Sequence, residues 1–121
     1  MNLTPEGLMR EIVTVLDRKK APDITALKIK DLSTIGDYFV IASGSSNTQV
    51  KALAEEVEDH LSKMGLEPKR VEGYQSALWI LMDYYDVVVH IFYKETREFY
   101  SIERLWSDAP RIDIDDLLTA D

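Results

Sequence analysis

The chain has 121 residues, 45% of them apolar, with no cysteine and a formal net charge of −8. This length fits one compact domain that buries roughly two thirds of the surface that its unfolded chain exposes. The lack of cysteine excludes disulfides and thiolate metal sites, and the negative charge disfavours direct nucleic-acid binding, because phosphate backbones repel it.

The N-terminal segment carries no sign of export. It has no basic flank followed by an apolar run, and nowhere in the chain do about 18 apolar residues follow one another. We therefore predict a cytoplasmic protein without a membrane span. His60 and His90 are too far apart in sequence to form a ligand pair of helical or hairpin spacing, so no metal or other cofactor is predicted.

The first predicted element is a helix. Thr4, Pro5 and Glu6 form a typical helix start, since proline is favoured at the first helical position and an acid in the first turn. Lys19, Lys20 and Pro22 mark its end. Between them one apolar stripe is predicted to face the core: Leu8, Ile12, Val15 and Leu16.

Two strands and a second helix follow. ITALKIK, residues 24–30, alternates as a half-buried strand does, whereas YFVIAS, residues 38–43, is predicted to be a central strand buried on both faces. Ser46 with Gln49 forms a capping box, and Gly65 ends the helix that it starts. The apolar positions of this helix are Val50, Leu53, Ala54, Val57, Leu61 and Met64.

The second half of the chain contains three further strands. PKRVEG, residues 68–73, is a short strand that Pro68 confines to a sheet edge or a strand start. ALWILMD, residues 77–83, and DVVVHIFY, residues 86–93, flank a tyrosine pair and form a hairpin. The last helix is predicted from its large apolar side chains: Phe99, Ile102, Leu105 and Trp106.

This order of elements predicts one mixed sheet of about five strands with flanking helices, an α/β or α+β fold. The segment from Tyr38 to Glu72 should form a right-handed parallel crossover, while the hairpin is antiparallel. Residues 1–106 are predicted to form the single domain, and residues 107–121 an acidic C-terminal tail.

The hairpin has two different faces. If its turn is centred between Tyr84 and Tyr85, Asp83 lies opposite Asp86. Side chains alternate across a sheet, so one face is wholly apolar and is predicted to be core: Leu78, Ile80, Met82, Val87, Val89 and Ile91. The other face, called here the mixed face, carries Trp79, Leu81, Asp83, Asp86, Val88, His90 and Phe92.

The carboxylates predict that part of the mixed face reaches solvent, since buried acids need cationic partners. An exposed Trp79 ringed by acids is typical of a protein-binding hot spot. Structural interpretations stay open beside this one. The C-terminal helix could cover Trp79, Asp83 and Asp86 could simply keep the hairpin end soluble, and a strand histidine such as His90 is more often structural than catalytic.

No catalytic residue is predicted. SGSSNTQ, residues 43–49, joins a strand to a helix, but Ser46 is explained as a cap and no glycine-rich phosphate motif is present. A strand followed by Gly44 and Ser45 and then a helix is similar to the arrangement in nucleotidyltransferases, which place a magnesium-binding carboxylate pair on the next strand. Here that strand is KRVEG, which lacks such a pair. The remaining acids of this region lie on the helix and are predicted to form a solvated face: Glu55, Glu56 and Glu58.

Three segments together resemble the bacterial ribosomal silencing factor family, also called the Iojap family. They are IASGSSNTQVKALAEEVED (41–59), VEGYQSALWILMDYYDVVVHIF (71–92) and REFYSIERLWSDAP (97–110). The resemblance implies a nucleotidyltransferase-like fold without catalytic carboxylates. It also implies a protein that binds the fourteenth protein of the large ribosomal subunit, and the negative charge of the chain predicts little direct nucleic-acid contact. By blocking the joining of the small subunit, such a protein represses translation when nutrients are short.

The motifs of that family fall on particular positions of this chain. Its W-[IVL] pair falls on Trp79 and Ile80, its D-x-x-D-[IV] hairpin on Asp83, Asp86 and Val87, and its closing E-x-L-W on Glu103, Leu105 and Trp106. The partner-binding residues that the resemblance implies are Trp79, Ile80, Asp83, Tyr84, Asp86, His90 and Glu103. Many relatives have glycine where this chain has Tyr85, so a wider hairpin tip is expected here.

Two alternatives stay open. A nucleotidyltransferase-like enzyme would retain nucleotide binding at Gly44 to Asn47, and a large-subunit assembly adaptor would use the same partner on immature subunits. The free protein is also a candidate homodimer through its exposed face.

Overall fold

The computed structural model describes residues 3–119. Its elements are α1 (Pro5–Arg18), β1 (Thr25–Lys28), β2 (Tyr38–Gly44), α2 (Asn47–Lys63), β3 (Arg70–Glu72), β4 (Trp79–Asp83), β5 (Val87–Tyr93), α3 (Lys94–Tyr100) and α4 (Ile102–Leu105), followed by one 3-10 turn, Asp115–Leu117. None of the helices in this range is long and apolar enough to cross a membrane.

The strands form one five-stranded sheet in the order β1-β2-β5-β4-β3. β2 and β5 are parallel, and the other neighbouring pairs are antiparallel, which confirms the predicted mixed α+β sheet. The crossover prediction is wrong in one respect. β2 and β3 run in the same direction, but β5 and β4 lie between them, because the apolar β5 pairs with β2 along its whole length, whereas the three-residue β3 pairs only with β4.

Both main helices begin as predicted. The Gly7 N–H donates to Thr4 Oγ1 at 2.9 Å, and the Gln49 N–H donates to Ser46 Oγ at 3.0 Å. α1 and α2 pack together on one side of the sheet, and their buried stripes join the main core there. β2 is buried along its whole length, as its unbroken apolar run predicted.

The apolar face of the hairpin lies in this main core. Five of its six predicted members are fully buried: Ile80, Met82, Val87, Val89 and Ile91. The sixth, Leu78, was predicted to be core but is exposed, because it precedes β4 and does not share the alternation of the strand.

The register of the hairpin differs from the prediction by two residues. Trp79 lies opposite Phe92, and Asp83 lies opposite Val88. The turn is centred one residue later than expected, because Tyr85 adopts a positive φ of 72°. A shift of two residues leaves every side chain on its predicted face, so the division into two faces is confirmed.

Tyr85 is exposed and holds a backbone conformation that favours glycine. We expect Tyr85→Gly to raise the free energy of unfolding by up to about 1 kcal/mol, because relief of the left-handed strain outweighs the greater freedom of glycine in the unfolded chain. Denaturant midpoints measure this change. The control is Tyr85→Ala, which also removes the contact of the ring with Lys69 but keeps the strain. Equal changes in the two variants would contradict the strain.

The single C-terminal helix that was predicted is two short helices. Ser101, between α3 and α4, has a left-handed φ of 48°, and this residue interrupts the helix that the spacing of apolar residues suggested. The break places Ile102 in a second, smaller core on the mixed face, while Phe99 and Leu105 stay 81% and 77% exposed. The side chains that form this second core are Leu27, Ile29, Phe39, Ile41, Val88, Phe92, Ile102 and Ala109.

The acidic C-terminal segment packs on the domain as far as the described residues extend. The Lys28 N–H donates to Pro110 O, and the Ile112 N–H donates to Ala26 O, both at 2.9 Å. This segment therefore covers the outer edge of β1, which would otherwise present unpaired backbone groups. Ile114 is buried in the main core.

Candidate partner-binding surface

An apolar groove of about 280 Å³ opens on the mixed face between the sheet and α4. Most of the side chains that line it are apolar, and its polar members are Arg70, Asp83 and His90. The apolar members are Ile35, Phe39, Trp79, Leu81, Val88, Ile102, Leu105 and Trp106. Most of the mixed face is thus covered by the second core, and the groove is the part that stays open.

Trp79 is half-buried in the wall of this groove. Its ring stacks on Phe92 with a centroid separation of 4.8 Å and lies against Tyr100 of α3 at 5.1 Å. The interpretation that the C-terminal helix covers Trp79 is therefore correct in part, and the tryptophan that was predicted to be exposed is only partly so. The uncovered part of the indole is available to a partner.

His90 fixes the orientation of Trp79. Its Nδ1 accepts a hydrogen bond from Trp79 Nε1 at 3.1 Å, and because an indole N–H can only donate, the proton of the neutral imidazole lies on Nε2. Burial lowers the pKa of His90 to about 4, so the ring is neutral near pH 7. The imidazole ring of His90 also packs edge-to-face against the ring of Phe39, with a centroid separation of 4.5 Å. These contacts assign a positioning role to His90.

The depressed pKa of His90 makes stability depend on pH. The unfolded histidine titrates near 6.5 and the folded one near 4, so only the unfolded chain takes up this proton between the two values. The contribution is complete above pH 6.5 and is lost as the pH falls toward 4, by roughly 3 kcal/mol in all. Urea unfolding across this range measures it. His90→Asn, which keeps an acceptor for the indole but cannot titrate, should show a shallower decline, and an equal decline would contradict the assignment.

The two aspartates of the hairpin have different environments. Asp83 is buried, its Oδ1 accepts from the Tyr85 N–H at 2.8 Å, and its Oδ2 lies 3.6 Å from Arg70 Nε. This carboxylate therefore stabilises the turn. Asp86 is exposed at the tip, and its carbonyl oxygen accepts from the Asp37 N–H at 2.7 Å. Its carboxylate is the one that a partner can reach.

Two of the implied contact residues face the core. Ile80 is fully buried between the sheet and the helices. Tyr84 is buried as well, burial raises the pKa of its hydroxyl, and that hydroxyl has no hydrogen-bond partner within residues 3–119. These side chains position β4 and the hairpin tip, and neither reaches the surface.

Glu103 points away from the groove into a network around Arg97. Arg97 Nε and Nη2 donate to the two carboxylate oxygens of Glu103 at 3.2 and 2.8 Å, and this arginine holds the pKa of Glu103 below its usual range. Arg97 also donates to Asp23 O, Ser43 Oγ and Thr25 Oγ1. Sequence reasoning missed Arg97, because its partners come from distant positions in the chain.

The strand-to-helix loop that could have held a nucleotide satisfies its own polar groups. The Ser45 N–H donates to Gln49 Oε1 at 2.6 Å, while Asn47 donates to Ser76 O at 3.1 Å. Gly44 lies so close to Val50 that a Cβ atom there would overlap it. Within the described residues, no group of three or more His, Cys, Asp or Glu side chains could hold a metal ion.

The model of the family described as "ribosomal silencing factor during starvation" matches residues 2–121. The chain belongs to the ribosomal silencing factor family. A ribosomal silencing factor of Halalkalibacterium halodurans is 40% identical over 117 residues, which cover 97% of this chain and 100% of that one. That of Bacillus subtilis is 40% identical over 113 residues, which cover 93% and 96%. Such family members are named as silencing factors rather than as enzymes.

Solved structures share the fold of this family member. A protein of Chromobacterium violaceum superposes with a TM-score of 0.84 at 34% identity, covering 87% of this chain and 88% of that one. A Bacillus halodurans structure gives a TM-score of 0.74 at 42% identity, covering 88% and 93%. A more distant relative is the mouse "mitochondrial assembly of ribosomal large subunit protein 1", 30% identical over 99 residues, which cover 79% of this chain and 43% of that one.

Proposed function

We propose that the protein silences translation by binding the large ribosomal subunit through its fourteenth protein and blocking its joining with the small subunit. The supporting observation is the family match over residues 2–121 in a chain whose groove presents a partly buried tryptophan. This action takes place in the cytoplasm and responds to nutrient shortage.

A steric mechanism needs no catalytic group. A domain of this length has a radius of gyration of about 14 Å and is roughly 35 Å across. A body of that size on the face where two subunits meet prevents those large surfaces from approaching each other. The self-capped loop at Ser45 and Ser46 is consistent with a protein that binds rather than catalyses.

In the proposed complex the groove receives apolar side chains of the partner. Trp79 and Leu105 supply exposed apolar area, and apolar patches of this kind mark interaction sites. Asp86 lies at the rim, where a carboxylate steers a basic partner more than it adds affinity. The other residues that the resemblance implies contribute indirectly, because they hold these exposed groups in position: Ile80, Asp83, Tyr84, His90 and Glu103.

Association should depend on salt through Asp86. We expect Asp86→Asn to slow binding to the isolated fourteenth protein and to flatten the dependence of the association rate on salt, because one attractive charge at the rim is lost. Stopped-flow kinetics at several salt concentrations measure this. Asp59→Asn, which neutralises an exposed carboxylate on α2, is the control. An identical salt slope in both variants would place Asp86 outside the interface.

The direct test of silencing is subunit joining. Purified small and large subunits should form fewer complete ribosomes in sucrose gradients when the protein is present in saturating amount. Unchanged joining, with the protein bound to the large subunit, would contradict silencing as the direct activity.

A second candidate is a role in large-subunit assembly, which the name of the mouse relative favours. In that case the protein would accumulate on immature large subunits in gradients of cell extracts, and its removal would delay their maturation.

We further propose that free copies pair through the exposed apolar side chains Phe99 and Leu105. Sedimentation of Leu105→Glu against the unaltered chain tests this pairing.

A further inference from the structure

A cleft of about 620 Å³ lies on the side of α4 away from the groove. It forms where the ends of β1 and β2 meet α3, α4 and the C-terminal segment. Four cations line it, Lys94, Arg97, Arg104 and Arg111, against three carboxylates. In a chain with a net charge of −8, this basic cleft is a local excess of positive charge.

Arg97 lines the basic cleft, and its guanidinium group is fully engaged in hydrogen bonds within the protein. Its guanidinium donates five hydrogen bonds, two of them to Glu103. The other three cations, Lys94, Arg104 and Arg111, are exposed, and no carboxylate within residues 3–119 lies at ion-pair distance from them. Arg97 pairs with Glu103, so the three exposed cations outnumber the two remaining carboxylates of the cleft, Asp23 and Glu98, and the cleft keeps a net positive charge for a ligand.

We propose that the basic cleft binds backbone phosphate groups of ribosomal RNA beside the partner protein. Arginine and lysine side chains are the usual protein donors to phosphate oxygens, and such contacts orient a protein without reading sequence. This inference rests on the proposed function. The groove and the basic cleft share α4, so a partner seated in the groove brings its immediate surroundings to the cleft.

The proposed contact also answers a physical difficulty. A chain with a net charge of −8 is repelled by the RNA that surrounds a ribosomal protein, and the repulsion grows as the protein docks. Cations directed at the nearest phosphates offset it. The contact is limited to Lys94, Arg104 and Arg111, and the rest of the surface stays acidic.

The test compares two variants of equal charge. Arg104→Gln/Arg111→Gln removes two cations of the basic cleft, and the control Lys30→Gln/Lys63→Gln removes two exposed cations that do not line it. Affinity is measured against purified large subunits and against the isolated fourteenth protein, each at several salt concentrations. On subunits, the cleft variant should bind severalfold more weakly at low salt, and the slope of log affinity against log salt should fall by about 1 to 2. On the isolated fourteenth protein, the cleft variant should bind like the unaltered chain. The control variant should bind like the unaltered chain on both targets.

Each other result has a separate meaning. A cleft variant with the unaltered slope on subunits would overturn the RNA contact, and an equal loss on the isolated protein would show that the cleft touches protein instead. Failure of the unaltered chain to bind either target would overturn the proposed function and, with it, this use of the cleft. Calorimetry with ATP and with pyrophosphate completes the test. Micromolar binding that the cleft variant loses would assign the cleft to a free phosphate ligand and overturn the RNA contact.

Discussion

Replacing Trp79 by alanine is expected to weaken binding to the fourteenth protein of the large subunit by about 2 to 4 kcal/mol, the range of interface hot spots. Trp79 is held rigidly by its stack on Phe92 and by the hydrogen bond to His90, so little side-chain entropy is lost when a partner covers it. Calorimetry or fluorescence anisotropy with the isolated fourteenth protein measures the loss.

Stability separates this effect from a loss of fold. The free energy of unfolding of Trp79→Ala should fall by less than the roughly 3 to 5 kcal/mol expected for a fully buried tryptophan, because the indole is only half-buried. Val89→Ala, on the opposite face, should lose about 2 kcal/mol of stability and keep its affinity. If Val89→Ala loses binding while Trp79→Ala unfolds the domain, the recognition surface lies elsewhere.

Replacing Arg97 by methionine is expected to lower the free energy of unfolding by about 3 to 5 kcal/mol, because it removes the cation that donates to both carboxylate oxygens of Glu103. The side chains of this ion pair are only 11% and 24% exposed, so solvent screens the loss weakly. The hydroxyls of Thr25 and Ser43 lose a donor at the same time. Urea denaturation measures the change.

The double variant Arg97→Met/Glu103→Gln distinguishes a broken ion pair from lost packing. It removes the unpaired charge, so it should be more stable than Arg97→Met alone. If the losses of the two single variants simply add, the ion pair does not couple α3 to α4, and the account of this network is wrong.

Local rules predicted the elements whose causes lie within a few residues. The Thr4 and Ser46 caps depend on amides only three residues further along the chain, and the burial of β2 follows from its composition. The two faces of the hairpin were also predicted, because side chains alternate along a strand and a register shift of two residues leaves each one on the same face. The fold class followed from the order of the elements.

The missed features depend on backbone conformations or contacts that the pattern does not encode. Tyr85 and Ser101 both adopt a positive φ, which neither residue type favours, and these two positions account for the hairpin register and for the broken C-terminal helix. The direction of Glu103 depends on Arg97, whose other partners lie more than 50 positions away. Leu105 was predicted to lie in one continuous helix with Phe99, because spacing alone cannot show that α4 has a single turn.

The most direct test of the central claim uses the two tryptophans of the chain, Trp79 and Trp106, both of which line the groove. The protein is labelled with 5-fluorotryptophan, and its fluorine NMR spectrum is followed as the isolated fourteenth protein is added. If the groove is the recognition surface, both resonances shift and saturate at the stoichiometry that calorimetry gives. Binding recorded by calorimetry while both resonances stay at their free positions would contradict the account.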